Sequence, residues 1–257
     1  MPSIRDLEEM PRKELHVFYV LDTSGSMKGV PIAALNTAME ECTAALRDVA
    51  QKNADAKLKI AVLKFSTGCS WVTYNGPESL DDEFCWEHLE AGGVTDIGSA
   101  LNELNSKLSR NGFLQSMTGA LMPIIVFMTD GHPTDQYELA LAEIKKNRWF
   151  VSSTKIGFAI GDDADLETIA SIVGNSEAVI RTSDLELFKK LMKLVTVRAS
   201  MLASSSRTTQ NYVTGADVVK DTIKDGNLPA DILPNINVTS DPPDMDITDW
   251  DDDDDSW

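Results

Sequence analysis

The sequence has no stretch of about eighteen apolar residues, the length a membrane-crossing helix needs. It has three cysteines, Cys42, Cys69 and Cys85, an odd count that excludes a full disulfide framework. A reducing cytoplasm is therefore the simplest home expected for it. Basic residues are scarce: 23 Lys and Arg stand against 41 Asp and Glu, for a net charge of −18. Nucleic acid and anionic membrane surfaces are poor partners for such a chain, because both are bound by clustered Lys and Arg. Residues 1–13 are polar and carry Asp6, Glu8 and Glu9, unlike a secretory signal, and are expected to be a short leader. No serine lies in a G-x-S-x-G string, and Gly92-Gly93 lacks the Gly-Lys-Ser/Thr that completes a phosphate-cradling loop.

The chain does have enough apolar residues, 42% of 257, to bury a sizeable core in one larger domain. Residues 15–21 (LHVFYVL) form a nearly continuous apolar run, the pattern of a parallel strand buried on both faces. They lead into the polar loop Asp22-Thr23-Ser24-Gly25-Ser26. Ile32, Leu35, Met39, Cys42, Leu46 and Val49 then recur at helical spacing. Residues 58–65, 123–128 and 154–160 predict further strands. Residues 71–74 predict a short strand paired with 58–65 as a hairpin, and 178–181 a weak edge strand. Helices are expected over 97–108, 139–149, 166–173 and 183–197, the last opened by a Ser183-x-x-Glu186 capping box. Strands alternating with helices imply an α/β fold: a doubly wound, mostly parallel sheet with helices on both faces. The expected domain spans 14–198. Residues 199–257 are expected to be a polar to Asp-rich, disordered tail, with nine Asp and no base in 241–257.

The loops that follow the strands carry oxygen donors. The first offers Asp22, Ser24 and Ser26, a second Thr95 beside Asp96, and a third Asp130. In a parallel sheet the strand C-termini share one edge, where open α/β sheets place their ligands. Two carboxylates and three hydroxyls form a hard, all-oxygen set suited to Mg²⁺, with Mn²⁺ or Ca²⁺ as alternatives. Two carboxylates only neutralise a divalent ion, so such an ion should stay electrophilic and favour a carboxylate from outside.

Asp22-x-Ser24-x-Ser26, the Gly-Gly-x-Thr95 string and Thr-Asp130-Gly together resemble the metal-ion-dependent adhesion site of von Willebrand factor type A domains. The strings DTSGSMKGVPIAALNTAM and FMTDGHPTD are similar to the bacterial TerY type, associated with tellurium resistance. The resemblance implies that Asp22, Ser24, Ser26, Thr95 and Asp130 hold the ion directly or through water. It implies a sheet order of 3-2-1-4-5-6 with one short antiparallel strand. It also implies a non-enzymatic scaffold in a cytoplasmic stress-response complex, binding an Asp or Glu of a kinase-like or phosphatase-like protein partner. Some TerY-type proteins carry a zinc module, but residues 199–257 hold neither Cys nor His.

The alternative readings are a metal-dependent phosphohydrolase and a metal-free structural interaction domain. An Asp nucleophile would need a second acid two residues on, and position 24 is Ser. Asp163 and Asp165 have a sufficient role at a helix start. Asp96 is expected either as a helix N-cap or in the metal's surroundings. Cys69, Cys85 and His88 fit no zinc spacing, and His132 is expected at the site rim or in solvent. Trp250 and Trp257 mark either a loose end or a short linear motif. The Asp-rich tail is expected to reach the metal in cis as a plug.

Overall fold

The apolar run at the start of the domain is β1 (Lys13–Asp22), buried from Leu15 onward. A computed structural model describes residues 12–73, 76–80, 84–116, 119–204 and 213–225. Neighbouring strand residues point to opposite faces. Leu15, Val17, Tyr19 and Leu21 accordingly enter one core, and Phe18 and Val20 the other. Two covered faces explain why β1 lacks a polar alternation.

β1 lies between β2 (Ala56–Ser66) and β5 (Ile124–Thr129), and both run parallel to it. β6 (Thr154–Ile160) and β7 (Val179–Thr182) extend the parallel sheet. At the opposite edge β3 (Gly68–Trp71) and the two-residue β4 (Glu78–Ser79) both pair antiparallel with β2. The order β3-β2-β1-β5-β6-β7 is the expected 3-2-1-4-5-6 once β4 is counted. Helices α1 (Val30–Lys52), α6 (Leu185–Ser204) and α7 (Gly215–Asp225) cover one face. Helices α2 (Ile97–Lys107), α3 (Tyr137–Ile144), α4 (Arg148–Val151) and α5 (Leu166–Val173) cover the other.

Four local expectations are corrected. The edge strand starts at Gly68 rather than residue 71, because Gly68, at φ 72°, lets the chain reverse around Thr67. The helix expected over 139–149 divides into α3 and α4, because the Asn147 side chain accepts from the Trp149 amide and starts a new turn. The cap of α6 is Asp184, not Ser183: its carboxylate accepts from the amides of Glu186 and Leu187. Finally, ordered structure continues beyond 198. α6 runs on to Ser204, and α7 buries Ala216, Val218 and Val219 against the sheet. Residues 1–11 of the expected leader 1–13 and the tail segments 205–212 and 226–257 lie outside the described residues, while Lys13 already belongs to β1.

Candidate metal centre

β1 ends at Asp22, and the chain then turns through Thr23 and Ser24 into a single 3₁₀ turn, Gly25–Met27. Asp22 is fully buried and Ser24 nearly so. Asp22 Oδ1 accepts from the Ser24 amide at 2.7 Å, which folds the loop over the strand end. Ser24 Oγ lies 2.9 Å from Ser26 Oγ, and Ser26 Oγ donates to Asp130 Oδ1 at 2.8 Å. Asp130 follows β5, which pairs directly with β1, so the two carboxylates leave neighbouring strand ends.

Thr95 comes from a third direction, on the loop before α2. A methyl group placed on Gly131 would lie 3.6 Å from Ser26 Oγ and 3.7 Å from Thr95 Oγ1, so both hydroxyls face the same small space beside Asp130. The five expected residues are thus brought together from three loops. Two backbone bonds clamp the first loop to the second: Gly25 donates to Gly93 O at 3.0 Å and Gly92 to Thr23 O at 2.8 Å. The approach is close enough that a Cβ on Gly25 would meet Gly93 O at 3.1 Å, and Gly93 itself has φ 87°. That explains glycines on both loops.

Two further residues shape the site, and the motif does not advertise them. Thr129, fully buried, donates its hydroxyl to Asp22 Oδ2 and accepts from the Gly131 amide. Thr134 exchanges bonds with Thr95, accepting from its amide through Oγ1 and donating its own amide to Thr95 O, each at 3.0 Å. The only sequence signal for either is its place beside Asp130 in the string MTDGHPT.

Asp96 stands at the expected N-cap position of α2 but makes no side-chain capping bond: its carboxylate accepts from the Gly68 amide at 2.8 Å, tying α2 to the β2–β3 hairpin, and from Thr134 Oγ1 at 3.4 Å. The start of α2 is held instead by Asp135, which accepts from the Gly98 amide. Cys69 donates to Ser99 O, Cys85 is exposed, and His88 pairs with Glu40 at 2.7 Å. Among the described residues no three His, Cys, Asp or Glu side chains group to hold a metal. Asp165 caps α5 through the Thr168 amide and meets the exposed His132 at 3.2 Å. Asp162 pairs with Arg181 at 3.5 Å.

Burial pushes the Asp22 carboxyl up to about 6, even though Thr129 and Ser24 donate to it, and Asp130 adds repulsion. Burial also raises Asp130, against the opposing bond from Ser26. No cationic side chain contributes to either shift. One carboxylate taken out of water and a second half-buried beside it, without a counter-charge, are costly unless they are paired or coordinate a metal. The donors are all hard oxygens on a hydroxyl-rich cradle, so the residues present fit a divalent cation such as Mg²⁺.

The class is then defined: an α/β domain with an all-oxygen site on the C-terminal edge of its parallel strands. The von Willebrand factor type A domain family matches residues 16–194, and the chain belongs to that family. It is 25% identical over 184 residues to human inter-alpha-trypsin inhibitor heavy chain H6, a match covering 67% of this chain and only 13% of that protein. A von Willebrand factor type A protein from Catenulispora acidiphila shares the fold with TM-score 0.54 and 17% identity, over 73% of this chain and 43% of the other. Mussel byssus proximal thread matrix protein 1, in a structure with a zinc-occupied site of the metal-ion-dependent adhesion type, gives TM-score 0.51 and 15% identity, over 74% and 48% of the two chains. The chain thus spans less than half the length of each of these relatives.

Proposed function

We propose that this domain is a metal-dependent protein-binding module, with Asp22, Ser24, Ser26, Thr95 and Asp130 holding a divalent cation. The observation that carries this reading is the meeting of a buried Asp22 carboxylate and a half-buried Asp130 carboxylate, with no cation between them, with three hydroxyls at one strand edge. Mg²⁺ suits the hard donors best, and Mn²⁺ and Ca²⁺ share that preference; a zinc-occupied site in the byssal protein supports a divalent ion here. The bound ion would supply an electrophilic position for an Asp or Glu of a partner protein. On this reading the chain is a scaffold and not an enzyme. Asp22 accepts two hydrogen bonds and touches no second acid at position 24, so it lacks the acid–base partner that phosphoryl chemistry would require.

The finer assignment rests on the TerY-like strings: a cytoplasmic stress-response or tellurium-resistance complex with a kinase-like or phosphatase-like partner. No described helix is long and apolar enough to cross a membrane. Calorimetry of Mg²⁺ binding tests the core of the proposal. Binding should be present in the native chain and lost in both Asp22→Ala and Asp130→Ala. Undiminished binding in both variants would sink the site. A pull-down with and without chelator, compared with Asp130→Ala, then tests whether partner capture depends on the ion.

A further inference from the structure

Asn36 is 5% exposed, among the residues that α1 turns into the core. A side-chain amide is rarely buried unless its polar atoms are bonded. Its oxygen accepts from the Leu89 amide at 2.8 Å and from Trp86 Nε1 at 3.2 Å, and its nitrogen donates to the Leu89 carbonyl at 2.9 Å. The side chain thus gives Leu89 both bonds that a neighbouring strand would give it. Leu89 needs them, because residues 84–96 form neither helix nor strand and Leu89 itself is buried. Two more residues of α1 hold the same segment: Glu40 meets His88 at 2.7 Å, and Arg47 donates to Phe84 O at 2.7 Å.

This segment feeds the metal centre. Gly92 and Gly93 lie between Leu89 and Thr95, so the path of the chain there is set by its anchors and not by its own stiffness. Downstream, the Asp96 amide donates to Ser66 O at 2.9 Å. Upstream, the buried anchor is Asn36. α1 starts at Val30, just after the loop of Ser24 and Ser26, and Asn36 stands about 9 Å along it. One continuous helix therefore fixes the spacing between the first metal loop and the loop of Thr95. We propose that Asn36 is a positioning residue for the metal centre: by holding Leu89 it places the Thr95 hydroxyl beside Ser26 and Asp130. The proposal rests on the reading of those residues as a cation site. Asn36 bonds none of the five donors and acts on the ion through Thr95 alone.

Mg²⁺ calorimetry on the native chain, Asn36→Ala, Thr95→Ala and the double variant tests it. Residues that orient metal ligands are worth about 10- to 100-fold in affinity, so Asn36→Ala should weaken Mg²⁺ binding about tenfold. In the Thr95→Ala background the same change should weaken it by less than about twofold, since the donor it places is gone. Asn36→Ser, smaller and still polar, is a second variant for the same cycle with the same expected losses. Met39→Ala removes a buried side chain from the same helix. It should lower the urea midpoint and leave Mg²⁺ affinity within about twofold, which separates positioning from lost stability. Affinity within about twofold of native in both Asn36 variants overturns the proposal, as does a loss that adds in full to that of Thr95→Ala. Absence of Mg²⁺ binding in the native chain is a different result and sinks the cation site itself. Hydrogen exchange in chelator then decides whether Asn36 places Thr95. The amides of Gly92, Thr95 and Asp96, bonded to Thr23, Thr134 and Ser66, should exchange faster in Asn36→Ala than in Met39→Ala. Equal exchange in those two variants overturns the positioning role.

Discussion

Thr129 shows how a site residue acts without being a ligand candidate. Its hydroxyl donates to Asp22 Oδ2, and it accepts the Gly131 amide, so it fixes both a carboxylate and the turn that carries Asp130. Partners of this kind orient metal ligands, and their loss typically lowers metal affinity about 10- to 100-fold. Thr129→Val keeps the shape and removes both bonds. Mg²⁺ affinity should fall by about tenfold or more, and the metal-free protein should lose about 1 kcal/mol from the partly buried Gly131 amide left without that acceptor. Asp96→Ala makes the contrast: it frees the Gly68 amide and should cost stability while leaving Mg²⁺ affinity within about twofold. Calorimetry beside urea unfolding separates the two variants, and equal affinities in Thr129→Val and native protein would remove Thr129 from the site. Asp22, Ser24, Ser26, Thr95 and Asp130 were legible in the sequence because each sits in a short string of fixed spacing. Thr129 and Thr134 were not, because their roles exist only once β5 lies beside β1 and the Thr95 loop folds over both.

Among the elements, the parallel strands were legible because burial on both faces leaves an unbroken apolar run, as in β1 and β5. The failures share a cause: a contact distant in sequence decides a local boundary. Asn147 divides α3 from α4 while its amide group bonds Asn105 and Leu108 on another element. The hairpin turns early because Asp96 waits for the Gly68 amide. α7 escaped because its buried stripe is thin, Ala216, Val218, Val219 and Thr222. A Cβ on Gly215 would stand 1.8 Å from the carbonyl oxygen of Lys155 and 3.1 Å from the Ala178 side chain, so only glycine allows α7 to approach β6. Gly215→Ala should therefore force the helix off the sheet, costing about 1–3 kcal/mol, the usual range for overpacking. Exchange protection should be lost through Val218 and Val219 and retained in α1. Unchanged protection of α7 would show that the close approach is not needed.

At the scale of the whole molecule, two buried groups at opposite ends of β1 oppose each other in their response to acid. His16 is 1% exposed, and burial, only partly offset by Glu14, lowers it from 6.5 to about 4. The unfolded chain binds that proton more readily, so His16 withdraws stability as pH falls from 6.5 towards 4, by about 3 kcal/mol in full. Asp22 has the opposite sign. Its carboxyl is raised from 3.8 to about 6, so the folded state takes up the proton first and gains about 3 kcal/mol over nearly the same window. In the metal-free protein the two contributions nearly cancel. A divalent ion at the strand edge holds Asp22 ionised and removes its contribution, leaving the His16 loss alone. It also adds stability by mass action, about 2.7 kcal/mol at a free concentration 100 times the dissociation constant. Urea unfolding with excess Mg²⁺ should show stability falling steeply from pH 6.5 to 4.5, as the ion is lost and His16 charges. With chelator the same two groups should leave the curve nearly flat. The vertical gap between the curves should be widest near pH 7 and should close in acid, and Asp22→Asn should abolish it. Parallel curves in Mg²⁺ and chelator would mean that the ion does not compete with a proton on Asp22, and that this carboxylate holds no metal.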